Sequence, residues 1–162
     1  MACIKYLIYL LKHKWYVSAD CFKYGLYWQG ITHDLSKFLP SEFFPYARYF
    51  YGTRTPKVKR DFEIACEKHK RRNLHHWENW AYPVDREGKE FSTFIMPYNY
   101  IQEMLCDWYG TGKAKGNDDS NEIGIFYNSS KNNIILHPTV RSYVQHLLRT
   151  RYGAEFTNYM DA

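Results

Sequence analysis

The sequence predicts a mainly α-helical fold of five to seven helices in one domain, residues 1–162, with one short β-hairpin near 126–136. Three observations carry this. Apolar residues recur with the helical period of about 3.6 across several long segments. Proline and glycine fall at the edges of those segments. The chain of 162 residues, 45% hydrophobic and 24% charged, is long enough to bury a core without a disulfide or metal staple.

Residues 3–24 contain no Gly or Pro and read as one helix. Ile4, Ile8, Leu11, Trp15 and Phe22 form one apolar stripe, and Tyr6, Leu10, Val17 and Tyr24 form another. Two apolar stripes predict a central helix buried on most of its circumference. Gly25 and Gly30 bracket a break, and a second helix runs from Ile31 to about Leu39. Pro40-Ser41 punctuates it before an aromatic-rich helix from Ser41 to about Tyr51, and Gly52 to Pro56 is a loop. Lys57 to about Lys70 is helical, with Val58, Phe62, Ala65 and Cys66 inward. Asn73, Pro83 and Gly88 make 71–95 irregular. Pro97 opens a helix to Trp108. Gly110 to Gly124 reads as a surface loop, and Asn128–Lys131 as the turn of the 126–136 hairpin. Pro138 opens the last helix, to about Arg149, with Val140, Val144, Leu147 and Leu148 inward.

A net charge of +5, from 22 basic and 17 acidic residues, favours an anionic partner. Cys3, Cys21, Cys66 and Cys106 include no closely spaced pair, which argues against a thiolate zinc site or a dithiol redox motif. They read as reduced thiols of a cytoplasmic protein. The early apolar run from Ile4 to Leu11 is broken by Lys5 and is far short of the ~20 residues of a membrane span, so no membrane partner is expected.

Five of the seven histidines fall within the first 76 residues, and they define the candidate site. His13 lies on the Tyr6–Leu10–Val17 stripe, so its imidazole faces inward. His33-Asp34 can ligate a metal from one turn, and the carboxylate can bridge two ions. Lys37 follows close enough to share that side and to hold a phosphate. His69 interrupts a basic run, Lys68–Arg72, His75 and His76 follow it, and a loop after Lys70 would return the pair toward His69. Asp107 lines up with Tyr100 and Met104, and a buried carboxylate there needs a cation. Glu103, one turn away, can support a ligand by hydrogen bonding.

The order His, His-Asp, His, His-His, Asp on successive helices resembles the HD-domain superfamily, all-α metal-dependent phosphohydrolases. His33-Asp34-Leu35-Ser36-Lys37 looks like its His-Asp-x-Gly-Lys core, with Ser36 in place of Gly. His75-His76-Trp77-Glu78 is loosely similar to the His-His-Glu element of a cyclic-dinucleotide-cleaving branch, although no Gly-Tyr-Pro follows. Over nearly the whole chain, the sequence also resembles a small uncharacterised family of bacterial and phage genomes. The matching segments are His33–Phe38, Glu42-Phe43, His69–Trp77, Met96-Pro97, Glu103-Met104 and Asp107-Trp108.

The HD resemblance implies a metal-dependent phosphohydrolase or phosphodiesterase acting on a nucleotide or nucleotide-derived signal. Asp34 would bridge, with His13, His33 and Asp107 on one ion and His69 with His75 or His76 on the other. A ligand set of His and carboxylate without thiolate suits one or two ions of Mn, Fe, Co, Ni or Zn. Lys37 would steady the phosphoryl oxygens, and Arg72, Asn73, Trp77 and Lys113 are candidate substrate contacts. The same ligand order serves a di-iron oxygenase. A third alternative is a non-enzymatic nucleotide- or nucleic-acid-binding module with a structural metal, nucleic acid being the less favoured partner.

Overall fold

Proline opens three of the helices, where its missing N–H is one the helix would leave unpaired and its fixed φ is already helical. The computed structural model describes residues 1–117, 119 and 121–156. The described residues contain seven α-helices, two single-turn 3-10 helices and one two-stranded sheet. In order, α1 is Ala2–Lys23 and α2 is Tyr27–Thr32, followed by a 3-10 turn, Leu35–Phe38. Next come α3, Pro40–Tyr51, and α4, Pro56–Arg72. A second 3-10 turn, Trp77–Trp80, leads into strands β1, Ala81–Pro83, and β2, Phe91–Thr93. The chain continues with α5, Tyr98–Lys115, α6, Glu122–Ser130, and α7, Pro138–Tyr152.

Helices α1 and α5 cross at the centre, and they do so through a glycine. A Cβ on Gly110 would stand 2.9 Å from the Val17 backbone nitrogen, so only hydrogen fits. A Cβ on Gly112 would meet only the end of the flexible Glu122 side chain. Gly110 therefore serves close packing inside α5, and neither glycine ends the helix. The surface loop expected over 110–124 shrinks to the few residues between α5 and α6, of which 118 and 120 lie outside the described residues.

Three apolar clusters surround the crossing. Met104, Leu105, Tyr127, Val140, Val144 and Leu148 join α5, α6 and α7. Tyr6, Leu10, Tyr46, Ala47 and Ala65 join α1, α3 and α4. Val17, Cys21, Leu26 and Cys106 join α1 to α5 beside the α1–α2 turn. Burial of a Leu- or Phe-sized side chain contributes about 1.5–3 kcal/mol, so these clusters dominate the stability of the helix contacts.

Two expectations change. The hairpin lies at 81–83 and 91–93, with Ala81 opposite Thr93, and not at 126–136. Ile123, Gly124 and Tyr127 are buried while Ile125 between them is exposed, which excludes a strand's alternation and fits the helical period of 122–130. The first helix is buried on one side only: Tyr6, Leu10, His13 and Val17 are covered, while Ile4, Ile8, Leu11, Trp15 and Phe22 remain exposed, Trp15 by 71%. The elements packed on α1 cover only the first of these faces, which the apolar count alone could not distinguish from the second. Among the described residues no helix is long and apolar enough to cross a membrane.

Candidate metal centre

The α2 helix stops at His33, and Asp34 takes a left-handed backbone conformation with φ 55°. The expected continuous helix from Ile31 to Leu39 is therefore broken at the His-Asp pair. Asp is among the few non-glycine residues that tolerate this region. Lys14 reaches across from α1 and donates to the carbonyls of Gly30, Ile31 and His33 at 2.7–2.9 Å. Its ammonium caps the end of α2 and fixes the turn. The kink aims the Asp34 carboxylate into the space between α1, α4 and α5. Close to the Val17–Gly110 contact of α1 with α5, His13 and Asp107 reach into the same space.

The two Asp34 oxygens face different partners. Oδ2 lies 3.3 Å from His13 Nε2 and 3.4 Å from His33 Nε2. Oδ1 lies 3.2 Å from His69 Nε2 and 3.6 Å from His75 Nε2. Asp107 completes the first side, with Oδ1 3.3 Å from His13 Nε2 and 3.5 Å from His33 Nε2. On the second side, His76 Nε2 stands 2.9 Å from His69 Nε2. Two groups of four potential ligands result, His13–His33–Asp34–Asp107 and Asp34–His69–His75–His76, sharing Asp34. Both His75 and His76 reach the centre, because α4 ends at Arg72 and the chain folds back before the Trp77 turn.

A layer of glutamates sets the tautomers. His33 Nδ1 and His75 Nδ1 both donate to Glu103 Oε1, at 3.0 and 3.1 Å. His69 Nδ1 donates to Glu42 Oε2 at 3.0 Å. With Nδ1 carrying the proton, the Nε2 lone pairs of these three rings point toward carboxylate oxygens. That arrangement is repulsive unless the rings are protonated or a cation lies between them. Asp34 Oδ1 and His75 Nε2 are buried and make no hydrogen bond among the described residues, as atoms reserved for a metal would be. The donor set thus fits a divalent ion, with the outer carboxylates orienting the imidazoles.

The electrostatics agree. Burial alone would lower His33, but Asp34, Asp107 and Glu103 hold it up to about 10. Asp34 stays well below the usual carboxylate range against its burial, held there by His33 and Lys37. Asp107 is lowered too, by His33 and His13 against its burial. Burial and the neighbouring His75 push His76 down to about 2, and burial lowers His13 despite Asp34. Without metal the centre therefore combines ionised carboxylates and the lowered His13 and His76 imidazoles with a protonated His33, whose proton an incoming ion displaces.

The remaining sequence candidates sit around this core. Lys37 Nζ stands 2.5 Å from Asp34 Oδ2. Arg72 donates to Glu42 Oε1 at 2.6 Å, and Asn73 donates to Ser36 Oγ at 3.0 Å and to the His69 carbonyl at 2.7 Å. Both thereby brace the His69 side. Trp77 packs against the α5–α7 core. Lys113 lies over the Tyr109 ring, 5.8 Å from its centre, and lines the cavity that His76 and Asp107 border. Glu42 joins the site without a sequence signal: it is fully buried and holds both His69 and Arg72. From the sequence alone it looks like an ordinary acidic residue in the first turn of a helix.

Two cavities reach the centre. One, of about 550 Å³, is bordered by His76 and Asp107. The other, of about 620 Å³, is bordered by Lys37, Asp107 and Thr111.

No curated protein and no solved structure matches the chain. A family of unknown function, DUF5662, matches residues 3–150, nearly the whole length and every residue of the centre, and the protein belongs to that family.

Proposed function

We propose that the protein is a metal-dependent phosphohydrolase or phosphodiesterase of HD type, acting on a nucleotide or nucleotide-derived phosphate ester through a dinuclear centre. One observation carries this reading: the buried Asp34 presents one oxygen to His13 and His33 and the other to His69 and His75. A carboxylate with ligands on both sides is what a pair of ions needs as a bridge. Mn, Fe, Co, Ni and Zn all suit this set of imidazoles and carboxylates. When bound, a pair of such ions supplies Lewis-acid stabilisation of phosphoryl oxygens and a water activated for attack on phosphorus.

The protein's own groups do the rest. Glu103 and Glu42 hold three imidazoles with Nε2 inward. Lys37 neutralises part of the Asp34 charge, and its ammonium has further N–H groups for a phosphoryl oxygen at the cavity wall. In the overall reaction a water oxygen bonds to phosphorus, the ester P–O bond breaks, and the leaving oxygen takes up a proton.

The test is phosphate or nucleotide release from metal-loaded protein with a panel of nucleotides, cyclic nucleotides and bis-p-nitrophenyl phosphate. We expect turnover that His33→Ala and Asp34→Ala abolish while the helical circular dichroism persists. Oxygen uptake by the iron-loaded protein without phosphate release would replace this reading with an oxygenase. Stoichiometric recovery of unchanged nucleotide would replace it with a binding module.

A further inference from the structure

The two cavities that reach the centre differ in charge. In the one beside His76, five cations, among them Lys23, Lys70 and Arg151, are offset by five carboxylates, among them Asp20, Glu78 and Glu122. In the other, between α1, α3 and α5, Lys5, Lys12, Lys37 and Lys115 face a single carboxylate, Asp107. Asp107 already belongs to the His cluster. Among the described residues neither Lys5, Lys12 nor Lys115 forms an ion pair with an acidic side chain. A concave wall with unmatched positive charge concentrates anions.

A second observation is independent of the lysines. Tyr6 lines the same cavity and is 1% exposed, yet its hydroxyl is buried without a hydrogen-bond partner among the described residues. An unsatisfied buried hydroxyl costs about 1–3 kcal/mol, so its retention points to a ligand. Third, Phe50 and Tyr51 line the cavity and are exposed by 50% and 38%, which leaves aromatic surface for a flat ring to cover. Lys37 and Asp107 tie the inner end to the centre.

We propose that the cleft between α1, α3 and α5 binds an organic polyphosphate carrying an aromatic base, a nucleoside di- or triphosphate, with its phosphates along Lys37, Lys12 and Lys5 and its base against Phe50 and Tyr51. The proposal rests on the phosphohydrolase reading for what happens to the ligand, but not for its binding. The volume of about 620 Å³ is in the range of small-molecule sites.

The test uses the metal-loaded full chain and the β,γ-imido analogues of ATP and GTP, with calorimetric titration. We expect at least one analogue to bind, the nucleoside to bind at least tenfold more weakly, and the Lys5→Ala/Lys12→Ala double variant to raise Kd at least tenfold. Tyr6→Phe raises Kd several-fold. Lys23→Ala, in the other cavity, leaves Kd unchanged. Absence of binding of both analogues overturns the proposal, as does a Kd unaffected by the double variant or one weakened by Lys23→Ala instead. Hydrolysis of p-nitrophenyl phosphate is measured on the same samples. Lysine-dependent binding without any hydrolysis keeps the cleft and removes the phosphohydrolase. Hydrolysis without lysine-dependent binding does the reverse.

Discussion

Replacing Glu103 by Gln keeps the shape of the side chain and removes its charge. Glu103 Oε1 accepts from both His33 Nδ1 and His75 Nδ1, so one substitution weakens the support of one imidazole on each side of the centre. Hydrogen bonds to a charged partner contribute about 1.5–3 kcal/mol and neutral ones about 0.5–1.5 kcal/mol, so each bond loses roughly 1 kcal/mol. Two such losses amount to roughly 2 kcal/mol, or about 30-fold in metal affinity, within the 10–100-fold typical of groups that orient metal ligands. The amide oxygen still accepts, so the fold persists. Glu103→Ala instead strands two buried N–H groups and costs about 2–6 kcal/mol of stability. The assay is competition with a fluorescent chelator for Zn or Mn, with circular dichroism as the control on folding. Wild-type metal affinity in Glu103→Gln, with the helical signal unchanged, would refute the idea that Glu103 presents these imidazoles to an ion.

Three further outcomes follow from the same geometry. Gly110→Ala forces a methyl into Val17 where α1 and α5 touch, and overpacking of this kind costs about 1–3 kcal/mol; urea denaturation should show it, and an unchanged midpoint would mean the helices do not cross there. Tyr6→Phe deletes the unpartnered hydroxyl and should raise the stability of the ligand-free protein by about 1 kcal/mol, read as a higher melting temperature, while weakening ligand binding; a lower melting temperature would show that the hydroxyl has a partner. Because His33 without metal holds its proton up to about 10, metal must displace that proton at neutral pH. Metal affinity should therefore rise with pH, about tenfold per unit between pH 6 and 8.5, and pH-independent affinity would contradict the assignment. The metal-free fold responds with mixed sign. His33 contributes stability that is full below 6.5 and lost as pH rises through about 10, whereas His13 and His76, buried neutral, lower stability as pH falls below 6.5.

Much of this arrangement is legible in the sequence because local rules govern it. The inward stripe of α1 carries His13 in register with Leu10 and Val17, and helical spacing alone reveals it. Prolines mark the starts of α3, α4 and α7 for a reason internal to the backbone. The misreadings share another cause: they depend on what packs against a residue. Gly110 looks like a breaker until α1 is seen pressed against it. The second apolar stripe of α1 looks buried until the neighbouring helices leave it uncovered. The left-handed turn at Asp34 is held by Lys14, a residue twenty positions away whose partners are backbone carbonyls and carry no side-chain signature. Glu42 is hidden in the same way, since only the fold shows that His69 and Arg72 converge on it.

The central claim is that Asp34 and the five histidines around it form a metal site. The most direct test is elemental analysis of the purified protein, followed by thermal unfolding with added Mn, Fe, Co, Ni and Zn. One to two equivalents of a first-row transition metal per chain are expected, lost in Asp34→Ala together with the metal-dependent rise in melting temperature. Protein that carries no such metal, and whose melting temperature none of the five ions raises, would contradict it.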